Sequence, residues 1–495
     1  SLLGISYFRI FSDIVPFVSL FGIAIVFSIL ILRWKDDTEI FMDPQDPNAK
    51  AFQRHPIEVL VRNILIVVLV ILYLVVTFLI GSFAFQTSNL VSAGSGMFIS
   101  VATMVIYLVL LAVTQIFLRL FPVSRKPAVH KITVAWLVVL TILFALPLAS
   151  MPVTISSTDQ QFEKVFGNDW QSLPEEHKQY FLETPFDLSS PYFGIEIGKN
   201  FEVIEGIVYK NTTNYTLYYD VHIPKQTGVG ENRTIIFLHG GGWTGGSRSL
   251  SSHLKVYFAN QGYVVFSIDY RLVDTSLLAI KEEIGLNISV SSSPETQYRA
   301  GPYQIKDMIQ DIGDFTHYLA NLSYAYGADL SRVTFLGQSA GGYLAAIVAL
   351  GYTDPWFGNL FNQTLKMESL ILYYPPDDAE SFFYKSHPFY HAAFKMIDGT
   401  PETNPEEYYH FTPSNLVGPD SPPCVLLHGT MDTLVYEENS LRIQQKYVEF
   451  NRPVIYIKYH FVGHAFTMNS QYHPISIYYL ERFLYKVPTL NHMGG

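Results

Sequence analysis

The sequence predicts an α/β domain, with a mostly parallel eight-stranded sheet and helices on both faces, preceded by a four-helix transmembrane bundle. From residue 201 onwards, short β-rich runs alternate with longer amphipathic runs. That alternation is typical of a parallel sheet covered by helices. The first 150 residues are instead strongly apolar. We therefore expect two structurally different parts in one chain.

Eight runs rich in β-branched and aromatic residues are predicted to be strands. They are residues 201–209, 216–223, 234–238, 263–268, 333–336, 370–374, 424–428 and 454–459. The first two are joined by Asn-Thr-Thr-Asn, which predicts an antiparallel hairpin. Amphipathic helices are predicted between most of the later strands, at residues 253–261, 303–325, 341–350 and 437–450.

Four apolar stretches, at residues 14–32, 64–85, 97–118 and 132–150, have about the 20 residues needed to cross a bilayer, and none holds Asp, Glu, Lys or Arg. The loops after the first and third stretches are basic, whereas residues 86–96 carry no charge. The positive-inside rule then places the rest of the chain outside. We therefore expect a multi-pass integral membrane protein whose α/β domain is extracytoplasmic, at the cell surface or in an organelle lumen.

Six N-x-S/T sequons agree with that orientation because all lie in the predicted outer part. They begin at Asn211, Asn214, Asn232, Asn287, Asn321 and Asn362, which we interpret as candidate glycosylation sites. The net charge of −11, without any run of Lys or Arg, argues against a nucleic-acid partner. The single cysteine, Cys424, excludes an intrachain disulfide.

Ser339 is the predicted nucleophile. It is the serine of a G-x-S-x-G motif at residues 337–341, between a predicted strand and an Ala-rich helix. Glycines two residues away on each side permit the sharp turn that exposes a nucleophilic serine. The N-terminus of the helix that follows favours negative charge, which suits acyl transfer.

The sequence His-Gly-Gly-Gly-Trp at residues 239–243 predicts an oxyanion hole. Consecutive glycines after a strand let backbone N–H groups face a reacting oxygen without obstruction by side chains. We assign the donors to the N–H groups of Gly240, Gly241 and Ala340. The remaining members of the motif, His239, Gly242 and Trp243, are expected to brace the loop.

Asp432 and His464 are predicted to complete a triad. Each lies in a loop directly after a predicted strand, and the chain order Ser339, Asp432, His464 is the one that an elbow serine of this kind requires. His464 would move the proton of Ser339, and Asp432 would orient the imidazole. His460 and His428 also remain candidates for the histidine, as do Asp377 and Asp378 for the acid.

These segments resemble the α/β-hydrolase superfamily, and more narrowly the hormone-sensitive-lipase-like carboxylesterases and the feruloyl and acetyl-xylan esterase group. The matching segments are residues 239–243, 269–272, 337–341, 428–432 and 463–466, within about 201–485. The resemblance implies an α/β-hydrolase fold, cleavage of a small-molecule or lipid carboxylic ester with short to medium acyl chains, and no metal or cofactor. The apolar N-terminal part and an insertion at about 276–298 depart from the family pattern.

The predicted domains are a transmembrane anchor at 1–150, a junction or cap at 151–200 and a catalytic domain at 201–495, with insertions at about 276–298 and 376–420. Aromatic residues of the second insertion are expected either to line an acyl pocket or to pack a lid on the sheet: Phe382, Phe383, Tyr384, Phe389, Tyr390 and Phe394. Other functions stay open at this point: an amidase, formamidase or peptidase with the same triad, a non-catalytic binding domain, or a subunit of a membrane complex. Protein partners are not indicated by any motif.

Overall fold

The computed structural model describes residues 146–186, 195, 197–274, 296–383, 396–468 and 473–490, with residues 131, 134, 135, 138, 139 and 142. The chain divides into two compact units, one of residues 1–85 and 102–149 and the other of residues 86–101 and 150–495. All elements named below belong to the second unit.

The helices of the described residues are short to medium in length. They are α1 (Met151–Phe166), α2 (Glu175–Lys178), α3 (Ser252–Asn260), α4 (Ile305–Leu322), α5 (Ala340–Leu350), α6 (Pro405–His410), α7 (Glu438–Glu449) and α8 (His473–Leu490). The strands are β1 (Phe201–Asn211), β2 (Thr216–Pro224), β3 (Arg233–Leu238), β4 (Val264–Ile268), β5 (Leu272–Val273), β6 (Ala300–Gly301), β7 (Asp329–Gln338), β8 (Met367–Tyr373), β9 (Cys424–Gly429) and β10 (Val454–Tyr459).

Eight of these strands form one sheet in the order β1-β2-β4-β3-β7-β8-β9-β10. The β1–β2 hairpin is antiparallel, and β2 also pairs antiparallel with β4. From β4 to β10 all neighbouring strands are parallel. The prediction of an α/β-hydrolase sheet, mostly parallel and opening with an antiparallel hairpin, is confirmed. Because the strands from β4 to β10 are parallel, their carboxyl ends share one edge of the sheet.

The sheet separates two hydrophobic core clusters. Ile236 and Leu238 of β3 pack into one cluster with apolar residues of α4, α5 and α7. Ile235 and Phe237 pack into the other with residues of α1, α3 and α8. Strands buried on both faces are expected to be apolar at nearly every position, as β3 is.

A second, two-stranded sheet was not predicted from the sequence. In it β5 pairs in parallel with β6, so residues 272–273 lie beside 300–301. The described residues on either side of the predicted insertion at 276–298 are therefore adjacent. Residues 275–295 lie outside the described part, but the returning segment, residues 296–299, is described and buried at Thr296 and Arg299.

Helix α1 covers the free edge of the sheet at β10. Thr154 Oγ1 donates to the carbonyl of Lys458 at 2.7 Å. The amide of Gln161 accepts from the Tyr456 N–H at 2.7 Å and donates to the Tyr456 carbonyl at 2.9 Å. The helix ends before Gly167, whose φ of +85° favours glycine. Polar side chains of α1 thus take the hydrogen bonds that another strand would take.

The prediction of a multi-pass integral membrane protein with an extracytoplasmic catalytic domain is wrong. Among the residues that the structure describes, no helix is both long enough and apolar enough to span a bilayer. The two 18-residue helices, α4 and α8, each contain more than two charged residues. The stretches at 14–32, 64–85 and 97–118, and most of 132–150, lie outside the described residues.

Candidate active site

Ser339 lies at a tight turn between β7 and α5. Its φ is +52°, which is uncommon for a residue with a side chain, and its N–H donates to the Tyr373 carbonyl at 2.9 Å. A Cβ atom at Gly337 would come within 2.3 Å of the Gly341 carbonyl oxygen, and one at Gly341 within 2.3 Å of the His239 carbonyl oxygen. The two motif glycines therefore allow β7, α5 and the end of β3 to meet at this serine.

The structure brings the three predicted triad residues together. The Oγ of Ser339 lies 2.9 Å from Nε2 of His464. The Nδ1 of His464 lies 2.6 Å from Oδ2 of Asp432. His464 and Asp432 are both buried, whereas Ser339 is partly exposed. A continuous hydrogen-bond chain therefore runs from the buried carboxylate to the accessible hydroxyl.

Asp432 is held as an ionised acceptor. Its Oδ1 accepts from the backbone N–H groups of Leu434 and Val435 at 3.0 and 2.9 Å. Burial on its own would raise the pKa of Asp432, but the adjacent His464 and the hydrogen bonds from His428 and His464 outweigh it and lower that pKa well below its usual value. The carboxylate is thus charged where it faces His464.

His428, considered above as a triad histidine, lies on the far side of this carboxylate. Its Nε2 is 2.8 Å from the Val435 carbonyl and 3.3 Å from Asp432 Oδ2, while its Nδ1 is 2.7 Å from Ser440 Oγ. Because a carbonyl oxygen only accepts, Nε2 carries the proton. His428 therefore supports the acid and does not contact the serine in the described structure.

Asp377, Asp378 and His460 are engaged away from the serine. The carboxylate of Asp377 accepts from Ser414 N–H at 2.7 Å and from Arg442 Nε at 3.0 Å. The Asp378 carboxylate accepts from the N–H of Glu380 at 3.0 Å. His460 is partly exposed, and its carbonyl accepts from Ser150 Oγ at 3.2 Å. The imidazole that reaches Ser339 is that of His464.

The glycine loop, which we define as residues 239–246, lies against the turn that carries Ser339. A Cβ atom at Gly240 would come within 2.9 Å of the Gln338 carbonyl oxygen and 3.3 Å of Ser339 Cβ. Gly241 and Gly242 have φ values of +133° and +59°, which glycine adopts more readily than residues with a side chain. Gly240 therefore lies close to Ser339, and Ala340 begins α5 directly after that serine.

His239 and Trp243 anchor the two sides of the loop. The imidazole of His239 is fully buried and stacks on Tyr270 at 4.3 Å between ring centroids. The indole of Trp243 is also buried, with its ring edge-on to Tyr343 at 5.5 Å, and the Trp243 carbonyl accepts from Val273 N–H at 2.9 Å. The bracing role of both side chains stays a prediction.

Sequence reasoning missed a buried ionic cluster beside this loop. Asp269 pairs with Arg248 Nη1 at 2.8 Å and with Arg299 Nη2 at 3.3 Å, and accepts from Tyr298 Oη at 2.7 Å. Burial would raise the pKa of Asp269, but the two arginines and His239 outweigh burial and lower it. The Asp-Tyr-Arg-Leu match indicated Asp269, but no local pattern marks Arg299, which lies thirty positions later along the chain.

Tyr374 was missed as well. It is buried, has a φ of +38°, and its ring centroid lies 4.5 Å from that of His464. Its hydroxyl also bonds Thr467 Oγ1, in the loop that follows His464. The sequence offers only a tyrosine before two prolines, which predicts a turn but not a contact with an imidazole.

The sequon asparagines differ in exposure. Asn211, Asn214 and Asn321 are exposed, Asn232 and Asn362 are partly buried, and Asn287 lies outside the described residues. The side chains of the six aromatic residues assigned to a pocket or lid also lie outside the described part. Glycosylation and the aromatic pocket both stay predictions.

Comparison with known proteins agrees with this fold. A family model described as BD-FAE matches residues 219–281 and 295–447, a region that includes Ser339 and Asp432. The probable carboxylic ester hydrolase LipM of Mycobacterium tuberculosis is 25% identical over 264 residues, which are 52% of this chain and 55% of that protein. Fumonisin B1 esterase of Sphingopyxis macrogoltabida is 29% identical over 164 residues, 32% of this chain and 27% of that protein.

The chain spans about half, or less, of the length of these relatives. Among solved structures, esterase B from Lactobacillus rhamnosis inhibited by a tributyrin phosphonate is 21% identical, with a TM-score of 0.46 over 61% of this chain and 90% of that chain. The family match and the sheet order agree that the described domain has the α/β-hydrolase fold.

Proposed function

We propose that this chain is a serine hydrolase that cleaves carboxylic esters through a covalent acyl-enzyme. The observation that carries the proposal is the hydrogen-bond chain from Ser339 Oγ through His464 to Asp432, with contacts of 2.9 and 2.6 Å. The reaction needs a nucleophile, a base and an oriented acid in that order. Each of the three side chains lies within reach of the next.

Acylation begins with attack by Ser339 Oγ on the ester carbonyl carbon. His464 Nε2 takes the hydroxyl proton as the new C–O bond forms, and the carbonyl oxygen becomes an oxyanion. Asp432 accepts from Nδ1–H and stabilises the imidazolium. The N–H groups of Gly240, Gly241 and Ala340 are the proposed donors to the oxyanion. Collapse of the intermediate expels the alcohol, which receives the proton from His464.

Deacylation repeats these steps with water. His464 removes a proton from the water that attacks the acyl carbon, and returns it to Ser339 Oγ as the carboxylic acid leaves. The partial exposure of Ser339, beside a buried His464, suits this step because substrate and water must both reach the hydroxyl. The two steps together consume one ester and one water and release one alcohol and one carboxylic acid, while Ser339 and His464 return to their starting states.

The ester class is favoured by the relatives. LipM is named a probable carboxylic ester hydrolase, and the Sphingopyxis protein is named an esterase. An amidase could use the same triad, but it must expel a poorer leaving group. We propose esters of short to medium acyl chains as substrates.

Hydrolysis of p-nitrophenyl esters tests the proposal. The purified chain is assayed with acetate, butyrate, octanoate and palmitate esters and with an acetyl anilide. We expect ester hydrolysis that falls with acyl length. Ser339→Ala should reduce kcat at least on the order of 10³-fold, because loss of the nucleophile removes the covalent route.

Ser331→Ala is the matched control. This serine lies on the same strand, β7, but is exposed and bonded to Asp329. It should retain the wild-type rate. Hydrolysis of the anilide in preference to the esters would replace the ester assignment by an amidase. No turnover of any substrate by the folded wild type would contradict the hydrolase proposal.

A further inference from the structure

We propose that Arg299 is a positioning residue for the oxyanion hole: its guanidinium joins both ends of the glycine loop and fixes the tautomer of His239, which in turn orients the Gly240–Gly241 peptide. The inference rests on the proposed hydrolase function. Arg299 does not contact the reacting atoms, so it acts through His239.

The contacts of Arg299 place it between the two ends of the loop. Its Nη2 donates to the carbonyl of Gly246 at 2.5 Å, at the end of the loop. Its Nη1 lies 3.4 Å from Nε2 of His239, at the start of the loop, and donates to the Tyr270 carbonyl at 2.5 Å. The side chain is fully buried, so these protein groups take the place of water around the guanidinium.

Two contacts select the same tautomer of His239. Its Nδ1 lies 2.9 Å from the Gly240 carbonyl, which only accepts, so Nδ1 carries a proton. Its Nε2 faces Arg299 Nη1, and guanidinium nitrogens only donate, so Nε2 carries none. Arg299 therefore holds His239 as the neutral Nδ1–H form.

The tautomer sets the direction of a peptide group. The carbonyl of Gly240 and the N–H of Gly241 belong to one trans peptide, in which they point in opposite directions. While His239 Nδ1–H holds the Gly240 carbonyl, the Gly241 N–H is turned to the other side. That N–H is one of the proposed oxyanion donors, and glycine at 241 leaves the peptide free to rotate unless it is held.

Without Arg299, Asp269 would favour the wrong tautomer. Its Oδ1 lies 4.0 Å from His239 Nε2, within reach after a small shift. A carboxylate draws a proton onto the nitrogen that faces it, so Nε2 would be protonated and Nδ1 would present a lone pair to the Gly240 carbonyl. Two acceptors facing each other repel, and the Gly240–Gly241 peptide would rotate.

The charges around His239 predict how pH changes this outcome. Asp269 and Arg299 face the ring, Tyr270 stacks on it, and Lys255 acts at longer range. Burial, assisted by Arg299, lowers the pKa of His239 to about 3, so the wild-type ring is neutral in any ordinary assay. Removal of Arg299 leaves Asp269 to raise that pKa. The imidazolium formed on acidification donates from both nitrogens and restores the bond to Gly240.

The test compares Arg299→Met and Arg299→Lys with wild type, using p-nitrophenyl acetate between pH 5.5 and 8.5. Arg299→Met should lower kcat about tenfold or more at pH 8.5 with KM little changed, because an oxyanion donor acts in the transition state. The kcat of Arg299→Met, expressed as a fraction of the wild-type kcat at the same pH, should rise as the pH falls. Arg299→Lys keeps the charge, so its smaller loss should not vary with pH.

Arg271→Met is the matched control. Arg271 is also buried, and it pairs with Asp311 and Asp307 of α4 instead of the glycine loop. The thermal unfolding temperature of Arg271→Met should fall, while its kcat should stay near the wild-type kcat at every pH. Comparison of unfolding temperatures separates loss of fold from misplacement of the donor.

The outcomes are distinct. The inference is overturned if Arg299→Met folds and keeps kcat within about twofold of wild type. It is also overturned if the loss of kcat in Arg299→Met is the same at every pH. If Arg299→Met does not fold, Arg299→Lys decides: a kcat loss of about threefold or more with unchanged KM supports the inference, and no loss overturns it. Wild type that hydrolyses no ester contradicts the proposed function instead.

Discussion

At the scale of single residues, the candidate site depends on how protons and lone pairs are assigned. His464 faces a carboxylate through Nδ1 and a hydroxyl through Nε2, so its Nδ1 must donate and its Nε2 is free to accept. His428 and His239 are each held in a single tautomer by carbonyl acceptors. Hydrogen bonding therefore gives each of these three buried histidines a fixed role.

Asp432→Asn tests the assignment of the acid. The amide NH₂ would face Nδ1 and favour a tautomer whose Nε2 cannot accept the serine proton. We expect kcat for p-nitrophenyl acetate to fall on the order of 10³–10⁴-fold, with folding retained.

Asp378→Asn is the control for the acid, since the sequence left Asp378 open as a candidate for that role. Its carboxylate caps Glu380 N–H and does not approach His464 in the described contacts. Activity should be kept. Loss of activity in Asp378→Asn with full activity in Asp432→Asn would reverse the assignment.

The sequence predicts residues that carry a local pattern and misses those that do not. Ser339, His464 and the glycines stand in short motifs whose chemistry constrains each neighbour. Arg299 and Tyr374 each contact residues that are far away in the chain. The guanidinium of Arg299 contacts His239 in the glycine loop, and the ring of Tyr374 contacts the imidazole of His464. Only the fold brings such groups together, so no pattern of neighbouring residues indicates them.

At the scale of elements, α1 closes the edge of the sheet beside the candidate site. Ser150, Thr154 and Gln161 bond the backbone at His460, Lys458 and Tyr456, alternate positions along β10 and the residue beyond it. Side chains on one face of a helix thus match the two-residue repeat of a strand. The sequence predicted only a junction or cap at residues 151–200 and no contact with the sheet edge, because the N-terminal half of α1 carries no charge before Asp159.

Gln161→Ala measures what this edge contact contributes. It removes the two hydrogen bonds to Tyr456, leaving that N–H and carbonyl without their partner, and also one to the Ser157 carbonyl within α1. We expect the free energy of unfolding in urea to fall by about 1–3 kcal/mol.

Gln310→Ala, on the exposed face of α4, is the control for that substitution. Among the described residues, Gln310 bonds a neighbouring side chain on the same helix, Asp314. Its unfolding free energy should change little. Equal losses in the two variants would mean that the contact with β10 adds nothing specific.

Glu481 of α8 joins the segment before β1 to the end of α3 and responds to pH. Its Oε1 accepts from Leu182 N–H at 2.9 Å, and its Oε2 accepts from Gln261 at 3.1 Å. Burial raises the pKa of Glu481 from 4.5 to about 7, although Arg482 beside it lowers it. The folded state therefore binds more protons than the unfolded state between those two pKa values, and this group costs stability as pH rises through that window.

Glu481→Gln removes this titration. Relative to wild type, the urea midpoint of the variant should rise between pH 5 and pH 8, since only the wild type must ionise a buried acid. Exposed Glu176→Gln should show no such trend. A Glu481→Gln midpoint that runs parallel to wild type across this range would show that the carboxyl does not titrate there.

At the scale of the whole molecule, the parallel strands explain why distant motifs converge. The glycine loop follows β3, Ser339 follows β7, Asp432 follows β9 and His464 follows β10, all in a parallel part of one sheet. Because each motif directly follows a strand, the sequence was enough to predict their common edge. The small β5–β6 sheet was missed because two-residue strands carry no periodicity.

The localisation prediction rested on four apolar stretches, and these lie mostly outside the described residues. A long apolar run predicts a membrane span only if the helix that it forms is apolar on all of its faces. The 18-residue helices of the described chain, α4 and α8, instead contain charged residues, and three of these, Asp311, Glu481 and Arg482, are buried within the domain. Among the described residues the apolar content serves the two core clusters of the sheet.

The most direct test of the central claim is covalent labelling with a fluorophosphonate, followed by intact-mass measurement and peptide mapping. A triad that activates Ser339 predicts one adduct per folded chain, located on Ser339 and absent from Ser339→Ala. Folded wild type that gains no adduct, or gains it only on another residue, would contradict the assignment of Ser339 as the nucleophile.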